Sequence, residues 1–83
     1  MNLDTLLQAE KRAVGVKQTE KAVAKNNAAV VYVAADADER ITERLLELCR
    51  ANDVKVVEVA SMNDLGKACG IHVKAAAAAV LKA

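Results

Sequence analysis

Residues 28–60 read AAVVYVAADADERITERLLELCRANDVKVVEVA, and this stretch decides the fold class. Its first part, 28–35, is apolar throughout with β-branched residues at its centre, which is typical of a strand covered on both faces. A second β-branched run covers 54–60, after a segment with helical spacing at 36–53. Because a strand, a helix and another strand follow one another, we expect an α/β fold.

The segment 36–53 carries the clearest helical pattern in the chain. Asp36 or Asp38 can cap its start, because a carboxylate oxygen accepts hydrogen bonds from the free N–H groups there. Acidic residues in the first turn also complement the helix dipole. Four apolar residues at helical spacing predict its buried side: Ile41, Leu45, Leu48 and Cys49.

Helices and strands also alternate on the N-terminal side of this stretch. A short helix near the start, with one apolar stripe, is predicted by the helical spacing of Leu3, Leu6, Leu7 and Glu10. Residues 13–16 favour a short strand, and residues 17–26 favour a helix. Asn26 and Asn27 suit a left-handed turn at the end of that helix.

On the C-terminal side, a helix over 61–70 is predicted by Ser61, a good N-cap, and by Gly70, a good residue to follow a helix. The alanine-rich tail after it is ambiguous. Alanine has the highest helix propensity, so the local sequence favours a helix. Small residues also fit a tightly packed central strand. Taken together, the alternating elements predict a three-layer α/β/α sandwich.

The chain offers little for catalysis. Its 83 residues are expected to form one domain, 1–83, and contain one histidine and two cysteines in no catalytic or zinc-binding spacing. His72 follows a helix-ending glycine and is expected on a surface loop. We therefore predict no enzyme, no metal site and no cofactor. No apolar run approaches membrane-spanning length, which predicts a cytoplasmic protein without a membrane partner.

Cys49 and Cys69 are expected to be small buried residues of a reducing compartment. A redox or metal role for the two thiols is the alternative. The acidic group of Asp36, Asp38 and Glu39 matches an ordinary helix start better than a metal site.

A polar group at the start of the 17–26 helix is a candidate binding surface. Lys17, Gln18 and Lys21 share one side of the first turns, where free N–H groups also point outward. A cation here opposes the helix dipole, so Lys17 does not serve helix stability. The chain lacks Phe and Trp, so it has few rings on which single-stranded bases could stack. These side chains could instead contact the base edges and phosphates of a folded RNA, although such a group is often only a solvated face.

Three segments in this order and spacing resemble the L7Ae family of RNA-binding ribosomal proteins, and most closely its short bacterial YbxF-like branch. They are GVKQTEKAV at 15–23, AADAD at 34–38 and SMNDLGKACGIHVKAAAAAVL at 61–81. The similarity covers about residues 11–81. The resemblance implies a mixed four-stranded sheet within the α/β/α sandwich and assigns 75–81 to a strand.

The resemblance also implies a function, the recognition of kink-turn RNA, a sharply bent helix with tandem sheared G·A pairs. By the match to the first motif, Gly15 lets the backbone approach the RNA, while Lys17, Gln18 and Lys21 reach guanine edges or phosphates. By the match to the segment at 61–81, the loop of 71–73 packs on the bases flipped out at the bend. The residues in that loop are Ile71, His72 and Val73.

The expected partner is therefore a structured RNA, either ribosomal RNA or a riboswitch, and not DNA. The expected protein is a monomer in the cytoplasm, with ribosome association as an option. An alternative is a protein-interaction or structural module of the same fold without specific RNA binding. Its contact surface would be the acidic, arginine-bearing helix at 38–52.

Overall fold

The computed structural model describes residues 11–82. Four strands and three helices alternate along this part of the chain. They are β1 (Arg12–Val14), α1 (Val16–Ala24), β2 (Ala28–Ala34), α2 (Glu39–Ala51), β3 (Lys55–Val59), α3 (Met62–Ala68) and β4 (Ala77–Leu81). The helix predicted around Leu3 to Glu10 lies outside the described residues.

The four strands form one mixed sheet in the order β1-β4-β2-β3. β4 runs antiparallel to both of its neighbours, β1 and β2, whereas β2 and β3 are parallel. The predicted α/β fold with a mixed four-stranded sheet is confirmed. The alanine-rich tail is the central strand β4, so tertiary pairing prevails over the helix propensity of alanine.

A hydrophobic layer covers each face of the sheet. On one face α3 packs through Leu65, above Tyr32 and Ala78. On the other face α1 and α2 pack through Val23 and Leu45. Tyr32 is fully buried, as its place in an apolar strand predicts. The small side chains of β4 let the helices on both faces approach the sheet closely.

The structure shows which of the two candidate aspartates caps the start of α2. Asp38 is the cap, and its Oδ1 accepts a hydrogen bond from the Arg40 N–H at 2.9 Å. Asp36 instead accepts from the Met62 N–H at 2.7 Å, so it joins the β2–α2 turn to α3.

The predicted buried side of α2 was correct for Leu45 and Cys49, which are buried, and Leu48 is partly buried against the same layer. The prediction was wrong for Ile41, which is 52% exposed. Thr42 is buried in its place. Thr42, Leu45 and Cys49 follow one another at steps of three and four residues, so they share one face. Ile41 lies about 100° away around the helix from Thr42.

Candidate nucleic-acid interface

Gly15 forms the corner between β1 and α1. Its backbone has φ 99° and ψ 155°, a conformation that is essentially restricted to glycine. A Cβ at this position would meet no atom within 4 Å, so the requirement is conformational and not one of space. The Gly15 N–H donates to the carbonyl oxygen of Ala77 at 2.8 Å. This bond fixes the start of α1 against the start of β4.

The first turns of α1 present polar side chains outward. Lys17, Gln18 and Lys21 are exposed, whereas Thr19 between them is fully buried against the sheet. No side chain caps this helix start. The helix itself leaves its first N–H groups without intrahelical partners, so free donors and two cations lie near the same end of the helix.

The second predicted segment, 71–73, lies in the loop between α3 and β4. Ile71 packs partly against the core layer under α3, His72 is exposed and Val73 is 69% exposed. Gly70 begins this loop with φ 73°, the left-handed conformation expected of a residue that ends a helix.

Backbone contacts seat this loop on α3. The Ile71 N–H donates to the Gly66 carbonyl at 3.1 Å, and the Ala75 N–H donates to the Met62 carbonyl at 3.1 Å. Gly66 is buried directly under the loop, and a Cβ there would overlap the carbonyl oxygen of Val73. The loop can therefore cross α3 this closely only because residue 66 has no side chain.

The fold brings the two predicted segments to the same end of the sheet. The chain leaves the 71–73 loop and enters β4 through Ala76 and Ala77. The Ala76 carbonyl accepts from the Ala34 N–H at 3.0 Å, and the Ala77 carbonyl accepts from Gly15. The end of β1, the end of β2 and the start of β4 thus meet beside the first turn of α1.

Two arginines that the sequence did not assign to the site lie beside it, one next to each segment. Arg44 of α2 forms an ion pair with Glu20 of α1 at 3.7 Å, and the two side chains line a surface depression with Lys17 and Lys21. The guanidinium of Arg12 lies 3.6 Å from the position that a Cβ would take at Gly70. Neither arginine could be placed from sequence spacing, because each lies on a different element from its neighbours.

The glutamates of α2 lie apart from this positive surface. Glu39, Glu43 and Glu47 line a separate groove, together with Leu46 and Arg50. In α2, therefore, Arg44 faces α1, whereas the three glutamates lie along a different groove.

Cys49 and Cys69 are free and buried, in the two core layers on opposite faces of the sheet. Burial raises the pKa of both thiols, and the charge of Arg12 lowers that of Cys69 in part. Both positions are therefore poor places for a thiolate. Residues 11–82 contain no group of three or more potential metal-ligating side chains, and no helix in this range is long and apolar enough to cross a membrane.

These features define a small α/β binding domain with a positively charged helix start beside a partly apolar loop. Residues 2–83 match the model of the ribosomal protein L7Ae/L30e/S12e/Gadd45 family, and the chain belongs to this family. The predicted family is confirmed.

Relatives of this chain carry names that refer to RNA or the ribosome. The RNA-binding protein YbxF of Geobacillus stearothermophilus is 44% identical over 99% of this chain and all of its own length. The large ribosomal subunit protein eL8 of Halobacterium salinarum is 41% identical over 83% of this chain and 58% of its own. The structure also superimposes on the 15.5 kDa RNA-binding protein of Giardia lamblia. That pair has a TM-score of 0.88, 31% identity, and coverage of 98% of this chain and 71% of the other. The prediction of a non-enzymatic protein is confirmed by these family and relative names.

Proposed function

We propose that this protein binds RNA, and that it recognises and stabilises kink-turns with tandem sheared G·A pairs. The observation that carries the proposal is that the start of α1 and the 71–73 loop lie at the same end of the sheet. The Gly15–Ala77 hydrogen bond joins the corner before α1 to the strand that follows the loop. A bent RNA presents a groove and unstacked bases close together. A surface that offers polar donors and apolar side chains side by side fits both.

The start of α1 would contact the groove at the G·A pairs. Gln18 can donate and accept a hydrogen bond at a base edge, and Lys17 and Lys21 can donate to guanine acceptors or phosphates. The uncapped N–H groups of the first turn add donors that suit phosphate. Gly15 has no side chain, so the RNA backbone could approach this corner closely.

The loop would hold the unstacked bases at the bend. Val73 is the most exposed apolar side chain of this segment, and Ile71 supports it from the core side. An apolar side chain exposed to this degree gains from contact with the face of a base, which removes both from water. His72 adds a ring that can pack or donate beside them.

The mechanism is a population shift. A flexible RNA samples the kinked form, and a protein that binds only that form increases its population. The seating of the loop on α3 keeps the two contact segments in a fixed relation, so little ordering cost is added on binding. We place this activity in the cytoplasm in a monomer of one domain. Its target would be ribosomal RNA or a riboswitch, with ribosome association as an option.

Titration calorimetry tests this function directly. A kink-turn RNA is compared with the same RNA in which Watson–Crick pairs replace the G·A pairs, and we expect tight binding to the first only. Gln18→Ala and Lys21→Ala should each cost about 1–3 kcal/mol if they contact base edges. Lys55→Ala removes an exposed charge from β3 at the other edge of the sheet, so it should have little effect.

Equal weak binding to both RNAs would contradict the proposal and favour a protein-interaction module of the same fold. Unchanged affinity after substitution of Lys17, Gln18 and Lys21 together would also contradict it. A weak salt dependence of the affinity would point in the same direction, because phosphate contacts release counterions.

A further inference from the structure

A second groove lies on the other side of α1, between this helix, the strand β1 and the end of β4. Its volume is about 330 Å³. The polar residues that line it are Arg12, Gln18, Lys21, Lys25 and Asn27, and no carboxylate is among its lining residues. It begins at Gln18 and Lys21 of the proposed kink-turn surface and continues to the far end of the helix.

Arg12 and Leu81, near the two ends of the described chain, line this groove, and Lys82 lies next to it through its contacts with Asn26 and Asn27. Lys21 and Lys25 lie one turn apart on α1 and therefore share a face. After the helix, Asn26 adopts φ 57° and turns the chain into β2. The Lys82 N–H donates to the Asn27 carbonyl at 2.8 Å, and Lys82 Nζ donates to Asn26 Oδ1 at 3.0 Å. Lys82 is thus held beside the end of α1.

Lys21, Lys25 and Lys82 form no ion pair with a carboxylate among residues 11–82. Asn26 orients Lys82 through a neutral amide oxygen, which leaves the charge of the ammonium intact. The two ion pairs found between residues 11 and 82 involve Arg40 and Arg44, and neither includes Lys21, Lys25 or Lys82. Three lysines gathered at one edge without a carboxylate repel one another and attract a polyanion.

We infer that this groove is a second RNA-contact surface, which binds the phosphate backbone of the duplex continuing from the kink-turn. The inference rests on the proposed function, because Gln18 and Lys21 border both surfaces. A duplex stem is a rigid extension of the segment bound at the start of α1. Its phosphates are recognised by charge and not by sequence, so this contact adds affinity without base specificity.

The test uses the double variant Lys25→Gln/Lys82→Gln, which removes two charges outside the proposed base-reading group. Lys55→Gln and Lys67→Gln, each on a different element, form the matched double control. Affinities are measured over a salt series with a kink-turn RNA that has long flanking stems, and with RNAs in which each stem is shortened in turn. Thermal unfolding of each variant shows whether the fold is retained.

We expect the Lys25/Lys82 variant to bind the long-stem RNA more weakly at low salt, with a salt slope smaller by about 2. Two lost contacts at about 0.9 each predict that its deficit shrinks about 12-fold between about 50 and 200 mM salt. The deficit should disappear when one particular stem is shortened. Preference for the G·A pairs over their Watson–Crick replacement should remain unchanged.

If wild-type protein prefers the kink-turn but the two double variants have equal slopes, the groove is not a contact surface and the proposed function stands. If the deficit persists with both stems shortened, the groove does not hold duplex and the inference is wrong. If wild-type protein shows no preference for the kink-turn, the proposed function fails and this inference fails with it.

Discussion

Gly66→Ala is the substitution that best tests how α3 supports the 71–73 loop. The new Cβ would overlap the Val73 carbonyl oxygen and lie 3.2 Å from its carbon and 3.4 Å from Lys74 Cα. These are backbone atoms, which cannot rotate away as a side chain could. The loop must therefore move away from the helix.

Two opposing effects set the magnitude. Alanine in place of glycine inside a helix normally stabilises by about 1 kcal/mol. Overpacking at a buried site costs about 1–3 kcal/mol. We expect the overlap to prevail, so that the free energy of unfolding falls by up to about 2 kcal/mol. Affinity for kink-turn RNA should also fall, because the displaced segment carries Ile71, His72 and Val73.

Urea unfolding followed by circular dichroism measures the first effect, and calorimetry with a kink-turn RNA measures the second. Asn63→Ala is the matched control, because Asn63 is exposed on the same helix. It should change the free energy of unfolding by no more than about 0.5 kcal/mol. If Gly66→Ala proves as stable as wild type or more stable, and binds RNA equally well, the loop is not seated on α3 as described.

Two further substitutions and one pH series test other parts of the fold. Gly15→Ala should reduce the free energy of unfolding by about 1–3 kcal/mol. The cause would be backbone strain alone, because the new Cβ has open space around it. An unchanged urea midpoint would disprove this. Thr19→Val should raise the free energy of unfolding by about 1 kcal/mol, because the buried Thr19 Oγ1 has no hydrogen-bond partner among residues 11–82. A lower melting temperature would count against this reasoning. The free energy of unfolding should be retained up to about pH 9, the ordinary pKa of a thiol, and should fall above it. Burial raises the pKa of Cys49 and Cys69 in the folded chain. Above about pH 9 the unfolded chain therefore releases thiol protons that the folded chain keeps. Urea unfolding in reductant from neutral to alkaline pH checks this, and the fall should be smaller in a variant with both cysteines replaced by alanine.

Elements with a strong local pattern were predicted well. β2 has a continuous apolar run, α3 has a serine cap that accepts from the Asp64 N–H at 3.0 Å, and Asn26 turns left-handed at the end of α1. These features depend on residues near one another in sequence. Ile41 was misassigned because a helix with apolar residues on neighbouring faces does not reveal which face meets the sheet. That choice depends on how α2 docks.

The roles of the individual site residues came from the family resemblance, and their direct tests are the substitutions proposed above. No local pattern indicated that Gly15 and Ala77 would share a hydrogen bond, or that Lys82 would lie beside Asn26. Both contacts join segments that are more than fifty residues apart in the chain. The positive surfaces on either side of α1 depend on such contacts.

The sequence by itself determined the α/β class, most helix and strand positions and the family, because hydrophobic period, capping residues and motifs are local properties. The local sequence of the alanine-rich tail favours a helix, and only the family resemblance assigned this tail to a strand. The physical reason for the strand lies in the tertiary structure, because pairing with β1 and β2 overrides the helix preference of alanine. The fold also decided which charges meet. Lys25 and Lys82 are far apart in the sequence, and they lie on one surface only because β4 runs back to the end of α1.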